Sequence, residues 1–214
     1  MNAGFANLAT LKQQLVASSM QSDDTFDTVL ARLGLGVAAA FDNFCQRKFQ
    51  RATGVTEIFA ADYAHFQLSR FPLEQITAIA VKFTEADGWE TQTINQFVRT
   101  IDLDKGMIYL PGADAGPFDA QVRFTYDGGY FWNTLEPADN GYPTALPTGA
   151  TPLPADLQTA WLLQCEQIWK VRDKLGVNIV EGDQDKFVTS SLAELKLSPF
   201  IKDLLADYVK VTMV

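Results

Sequence analysis

The chain has 214 residues, 47% hydrophobic and 20% charged, with a net charge of −9 and a pI near 4.5. That composition suits one large domain or two small ones with a real core. The acidic balance excludes tight wrapping of a nucleic-acid backbone, which needs clustered Lys and Arg. Cys45 and Cys165 each fall in a helical pattern and not in a C-x-x-C pair, so they read as small core residues in a reducing compartment. The start shows no basic region followed by an apolar block. No apolar run approaches the roughly 20 residues of a bilayer span, so a soluble protein made in a cytoplasm is expected.

The first element is "ATLKQQLVASS", where Thr10 can cap and Leu11 and Leu15 share a face. A short helix is expected there, ending before "MQSDD". Ser22, Asp23, Asp24 and Thr25 then supply cap candidates and negative charge for a second helix. Phe26, Leu30, Leu33, Val37, Phe41 and Phe44 recur at spacings of four and three, one stripe of an α-helix. Arg47 and Lys48 are expected in its last turn, facing the negative end of the helix dipole. Gly34 and Gly36 lie inside it, each costing about 1 kcal/mol relative to alanine. They mark either a weak spot or the close approach of another helix.

From Thr56 the period falls to two. "TEIFA" and "HFQLS" are short alternating runs around "ADYA" and predict a hairpin. "ITAIAVKF" and "ETQTI" flank an Asp87-Gly88 turn, "FVRTI" and "GMIYL" flank "DLDK", and "AQVRFTY" closes the series. Short strands joined by turns describe an antiparallel sheet or small barrel. Residues 133–154 hold five of the nine prolines. They predict an extended surface loop, or an arm that reaches a partner.

The helix that follows, starting near Pro154 or Ala155, is the most apolar element. Leu157, Ala160, Trp161, Leu162, Cys165, Ile168, Trp169 and Val171 cover an arc of roughly 200°, against the roughly 100° that one core contact needs. The Phe-rich helix hides half of it, and the sheet or another chain must hide the rest. Trp161, Leu162 and Trp169 are therefore placed in core or subunit contacts. "SPFIKDLLADYVKV" predicts a last helix with Ser198 as cap, Pro199 at its first position and Phe200, Leu204 and Tyr208 on one face. The end, "VKVTMV", alternates like a strand offered to another sheet edge, or frays.

Chemistry is sparse. His65 is the single histidine and has no partner at ligand spacing, so it reads as structural. "DLDKG" begins like a calcium loop but lacks the later acids, and "EGDQD" at 181–185 reads as a solvated acidic loop. There is no phosphate loop and no G-x-S-x-G elbow. The expectation is a protein that is not an enzyme and has no cofactor and no metal. The rival is a cation-dependent enzyme using the acids of those two loops.

The order of signals carries a resemblance. "LATLKQQLVASSMQSDDTFDTVLARLG", "FDNFCQRKFQ", "RFPLEQITAIAVKFTEADGWET", "VRFTYDGGY" and "LPADLQTAWLLQCEQIWKVRD" together resemble phage head–tail connector proteins, the head-completion adaptors, over most of Leu8 to Asp173. The resemblance implies an α+β chain. A helical bundle (1–52 and 152–214) would hold an antiparallel β module (53–130) inserted between its two long helices, with a Pro/Gly-rich loop at 131–151. It implies a ring, often twelve-fold, beneath the portal of a capsid in the virion neck, made in a host bacterial cytoplasm. Its partners would be copies of itself, the portal, and a tail or stopper protein, with DNA passing through an axial channel and no membrane. By the same resemblance Phe200, Tyr208, Val209, Val211 and Met213 form a portal-docking arm. Another ring of the tail, a terminator or stopper, is the structural alternative.

Overall fold

The structure is a computed structural model. It describes residues 2–61, 65–94, 98, 100–110, 120–135, 139, 141–170 and 196–210. The acidic stretch at 181–185, Val171, Val211 and Met213 lie outside the described residues. The fold is mixed α+β, with four α-helices and mainly antiparallel strands among the described residues. It divides into two compact units, one of helices and one of strands.

The helical unit draws on Met1–Cys45, Asn133–Tyr142 and Leu153–Tyr208. Helix α1 is Leu8–Leu15, α2 is Asp27–Cys45, α3 is Ala155–Lys170 and α4 is Pro199–Leu205. The cap of α1 is Asn7, not Thr10. The Asn7 side-chain oxygen accepts from Thr10 N at 3.0 Å and from Thr10 Oγ1 at 2.9 Å. Ahead of α2, Asp23 accepts from the Thr25 backbone and hydroxyl, and Lys12 pairs with Asp27 in the first turn at 2.6 Å. A carboxylate there suits the positive end of the helix. Helix α2 stops at Cys45, before Arg47 and Lys48, because Gln46 takes a left-handed conformation (φ 53°). Arg47 is buried in the strand unit, its guanidinium carbon 3.3 Å from the Phe71 ring centroid.

The strand unit holds a four-stranded sheet in the order β1-β7-β3-β4, comprising Ala52–Ala60, Gln121–Gly128, Leu73–Lys82 and Glu90–Gln92. A three-stranded sheet runs β2-β6-β5, comprising His65–Gln67, Met107–Tyr109 and Thr100–Asp102. The expected hairpins β3–β4 and β5–β6 are present. The expected hairpin between "TEIFA" and "HFQLS" is not. β1 pairs with β7 and β2 with β6, so these neighbours in sequence belong to different sheets. The reason is packing. Phe59 on β1 meets Phe66 on β2 and Phe124 on β7 with centroids 5.6 and 5.8 Å apart. Their rings join the shared core of the two sheets, with Ile79, Val122 and Ile108. Facing sheets bury these rings, whereas a flat hairpin would leave one side wet.

The Pro-rich segment is tied at its two ends. β8 (Tyr130–Phe131) and β9 (Thr151–Pro152) pair in parallel, and Ala150 N donates to Pro147 O.

Candidate assembly surfaces

Helix α3 packs against α1, α2 and α4 of its own chain. Leu157, Ala160, Trp161, Gln164, Cys165 and Trp169 are all buried. Trp161 is 0% exposed, and its indole N–H donates to Gly34 O at 2.9 Å. Gly34 is where three segments converge. A Cβ there would stand 1.9 Å from Ala3 O and 2.8 Å from Trp161 Cζ2. The close approach that its sequence allowed is therefore within the chain, between α2, the N-terminal segment and α3. Phe5 completes the seat, 5.6 Å from Phe41 and 6.3 Å from Trp161. Trp169, 8% exposed, meets Phe26 edge-on at 5.7 Å. Leu162 is half-buried. Among the described residues, the centre of the wide apolar arc thus finds its covers in α1, α2 and α4, so this part needs no second chain, contrary to the expectation, while Leu162 and Ile168 stay half-buried. Burial of this kind pushes the Cys165 thiol up to about 12.

The apolar surface left outside lies mainly elsewhere. Helix α2 buries Leu30, Val37 and Phe41 but exposes Val29 (55%) and Leu35 (43%) on the opposite side. By length and composition α2 could cross a bilayer, contrary to the expectation that no apolar run is long enough, yet a third of its apolar stretch is buried within the chain. Sequence reasoning missed Val29 and Leu35 because they fall off the main stripe. The available signal was the near-absence of charge between Asp27 and Asp42, where Arg32 stands alone.

The residues expected in a docking arm separate. Phe200 is exposed (59%) on α4, whose buried side is Ile201 and Leu205. Tyr208, in a 3-10 turn at Ala206–Tyr208, donates its hydroxyl to Asp156 at 2.7 Å and belongs to the helical unit. Val209 and Lys210 belong to the strand unit and are half-buried there. Burial holds the Lys210 ammonium below the usual lysine range, against the pull of Glu57.

The strand unit has two polar clusters. Glu57 accepts from the Tyr126 hydroxyl, from Ser69 Oγ at 2.5 Å and from Ser69 N at 3.1 Å. Burial first, then Glu57, pushes the Tyr126 phenol well above its ordinary value. Asp127 accepts from Gln75 at 2.8 Å and from Gly54 N at 2.7 Å, which hold its carboxyl below the usual range. Gly54, at φ 63°, sits where the β1 register shifts, so Asp127 pins the irregular end of that strand. Arg51 grips Glu74 with two bonds, at 2.5 and 2.9 Å. The His65 ring lies tilted at 33° against Tyr109, centroids 4.6 Å apart, beside an open depression on the three-stranded sheet. "DLDKG" forms the β5–β6 turn, with Asp102 accepting from Lys105 N. Among the described residues no three His, Cys, Asp or Glu side chains gather as a metal-binding group.

No family model matches the chain, and no curated protein matches it in sequence. Solved structures do share its fold. One is a chain in the neck of an empty gene transfer agent (GTA) particle computed with C6 symmetry, with 14% identity and a TM-score of 0.55, covering 97% of this chain and 90% of that one. Another is a chain in the virion of the native gene transfer agent particle, with 15% identity, the same coverage and a TM-score of 0.55. At these identities the likeness is one of fold.

Proposed function

We propose that this chain is a structural protein of a virion neck, a head–tail adaptor that assembles as a ring beneath a portal and lets DNA pass. The observation that carries this reading is the fold shared over 97% of the chain with a protein of a GTA neck computed with C6 symmetry. The ordered sequence motifs that resemble head-completion adaptors agree with it.

In this reading the protein works by assembly and not by catalysis, and needs no metal or cofactor. The helical unit, closed around Trp161, is the rigid part that a ring repeats. A net charge of −9 per subunit, multiplied around a channel, repels phosphate, so DNA slides without sticking. Val209, Val211 and Met213 are the portal-docking segment, with Tyr208 anchoring its root to Asp156.

The test is electron microscopy of the purified chain mixed with its portal. A stacked ring is expected, and deletion of residues 209–214 is expected to abolish stacking while leaving the fold intact by circular dichroism. Undiminished stacking by the truncated chain removes the docking role from that segment. A chain that never joins a portal contradicts the adaptor reading.

A further inference from the structure

Among the described residues, the helical unit exposes four large hydrophobic side chains, and they fall into two patches. Val29 and Leu35 stand on α2, and Leu163 (39%) and Phe200 stand on the neighbouring helices α3 and α4, so the two patches are defined by helix and not by a contact between Leu163 and Phe200. Helices α3 and α4 lie side by side and antiparallel. Gln164 bonds to Lys196 O and Ser198 N at the head of α4, and Tyr208 bonds to Asp156 beyond its end.

The patches differ in charge. The exposed positions of α2 between its ends are Thr28, Val29, Arg32, Leu35, Ala39 and Asn43, so its single charge is positive. Beside Phe200, the exposed charges of α4 and the turn after it are Lys202, Asp203 and Asp207, which sum to one negative charge. On α3, Lys170 and Glu166 neutralise each other at 2.6 Å, and exposed Asp156 on α3 and Lys196 ahead of α4 cancel, so the face keeps one net negative charge.

We infer that these two patches are the two halves of one head-to-tail contact between copies: the α2 face of one copy packs on the α3–α4 face of the next, with Arg32 against Asp203 and Asp207. The inference rests on the ring reading above. A head-to-tail ring needs two different, complementary patches on each subunit, whereas a two-fold dimer needs one self-complementary patch. In a chain of net charge −9, copies repel over most orientations, and this pairing joins opposite signs.

The test uses necks purified from particles that carry Leu35→Cys together with Phe200→Cys. Cys45 and Cys165 are fully buried and do not compete. Oxidation with copper phenanthroline is expected to give a ladder of covalent multimers with both substitutions and none with either alone. Arg32→Glu is expected to reduce the assembled fraction at least tenfold, and Asp203→Lys with Asp207→Lys to restore it. Rings visible by electron microscopy with no ladder from the double variant overturn this contact and leave the ring reading standing. Dimers from Leu35→Cys alone also overturn it, because they mean α2 meets α2. Wild-type necks without a ring of this chain remove the ring reading and this inference together.

Discussion

Helices α2 and α3 both carry more apolar surface than a single neighbour covers, and they dispose of it in opposite ways. α3 turns the centre of its apolar arc into α1, α2 and α4, with Trp161 sealed against Gly34, and exposes only Leu163 among its large apolar residues described. α2 buries one stripe and leaves Val29 and Leu35 outside. The difference teaches that the width of an apolar arc counts the covers a helix needs, not the chains that supply them. Three short contacts from one chain serve as well as a neighbour. Residues off the main stripe are the better guide to apolar surface left exposed.

Substitutions can break this comparison, and the largest effect is expected at the centre of α3. Trp161→Ala removes a fully buried indole and its hydrogen bond, and is expected to destabilise the chain by about 4 kcal/mol in urea melts. A loss below about 1 kcal/mol means the arc is not closed within the chain. Gly34→Ala is next, at about 3 kcal/mol, because the added methyl meets the Ala3 carbonyl, backbone that cannot swing aside. On α2 the same measurement is expected to move little. Leu35→Asp is expected to change monomer stability by less than about 0.5 kcal/mol.

Thiol chemistry sharpens the contrast. Cys165, fully buried and with its thiol pushed up to about 12, is expected to resist an aromatic disulfide reagent in the folded chain. A cysteine placed at Leu35 is expected to react as a free thiol does. Equal rates at the two positions contradict the assignment of buried and open faces.

The smallest effect lies in the strand unit and separates it from the helices. The Asp127 carboxyl is held low by Gln75 and Gly54, so it binds its proton more weakly folded than unfolded. Its contribution is present above the ordinary carboxylate value of about 4 and is lost as pH falls below it. Urea melts followed by a strand signal are expected to weaken on acidification through that window, and Asp127→Asn to flatten the slope. An unchanged slope in the variant assigns the acid response to other carboxylates.

Much of the fold was legible in the sequence, for local reasons. The stripe from Phe26 to Phe44, the Pro154–Ala155 start of α3 and the Asp87-Gly88 turn each carry their signal within a few residues. The failures are of longer range. Nothing local told β1 that its partner is β7, with Ala60 opposite Gln121 and Ala52 opposite Gly128, because alternation fixes which face is buried and not which strand lies alongside. Arg47 looked like a helix-end cation, and only the arrangement of Phe49, Phe71 and Tyr130 reveals its buried seat. Of the exposed apolar residues, Phe200 stood out in the sequence only through the resemblance that placed it in a docking arm, whereas Val29 and Leu35 escaped because helical periodicity marks the buried stripe and not the side opposite it.

The most direct measurement is cryo-electron microscopy of particles that carry this chain, with a small fused tag marking its position. A ring of tagged subunits is expected where the capsid meets the tail, each with Trp161 enclosed in its own helical unit. Tags absent from that junction, or marking a solitary copy there, would contradict it.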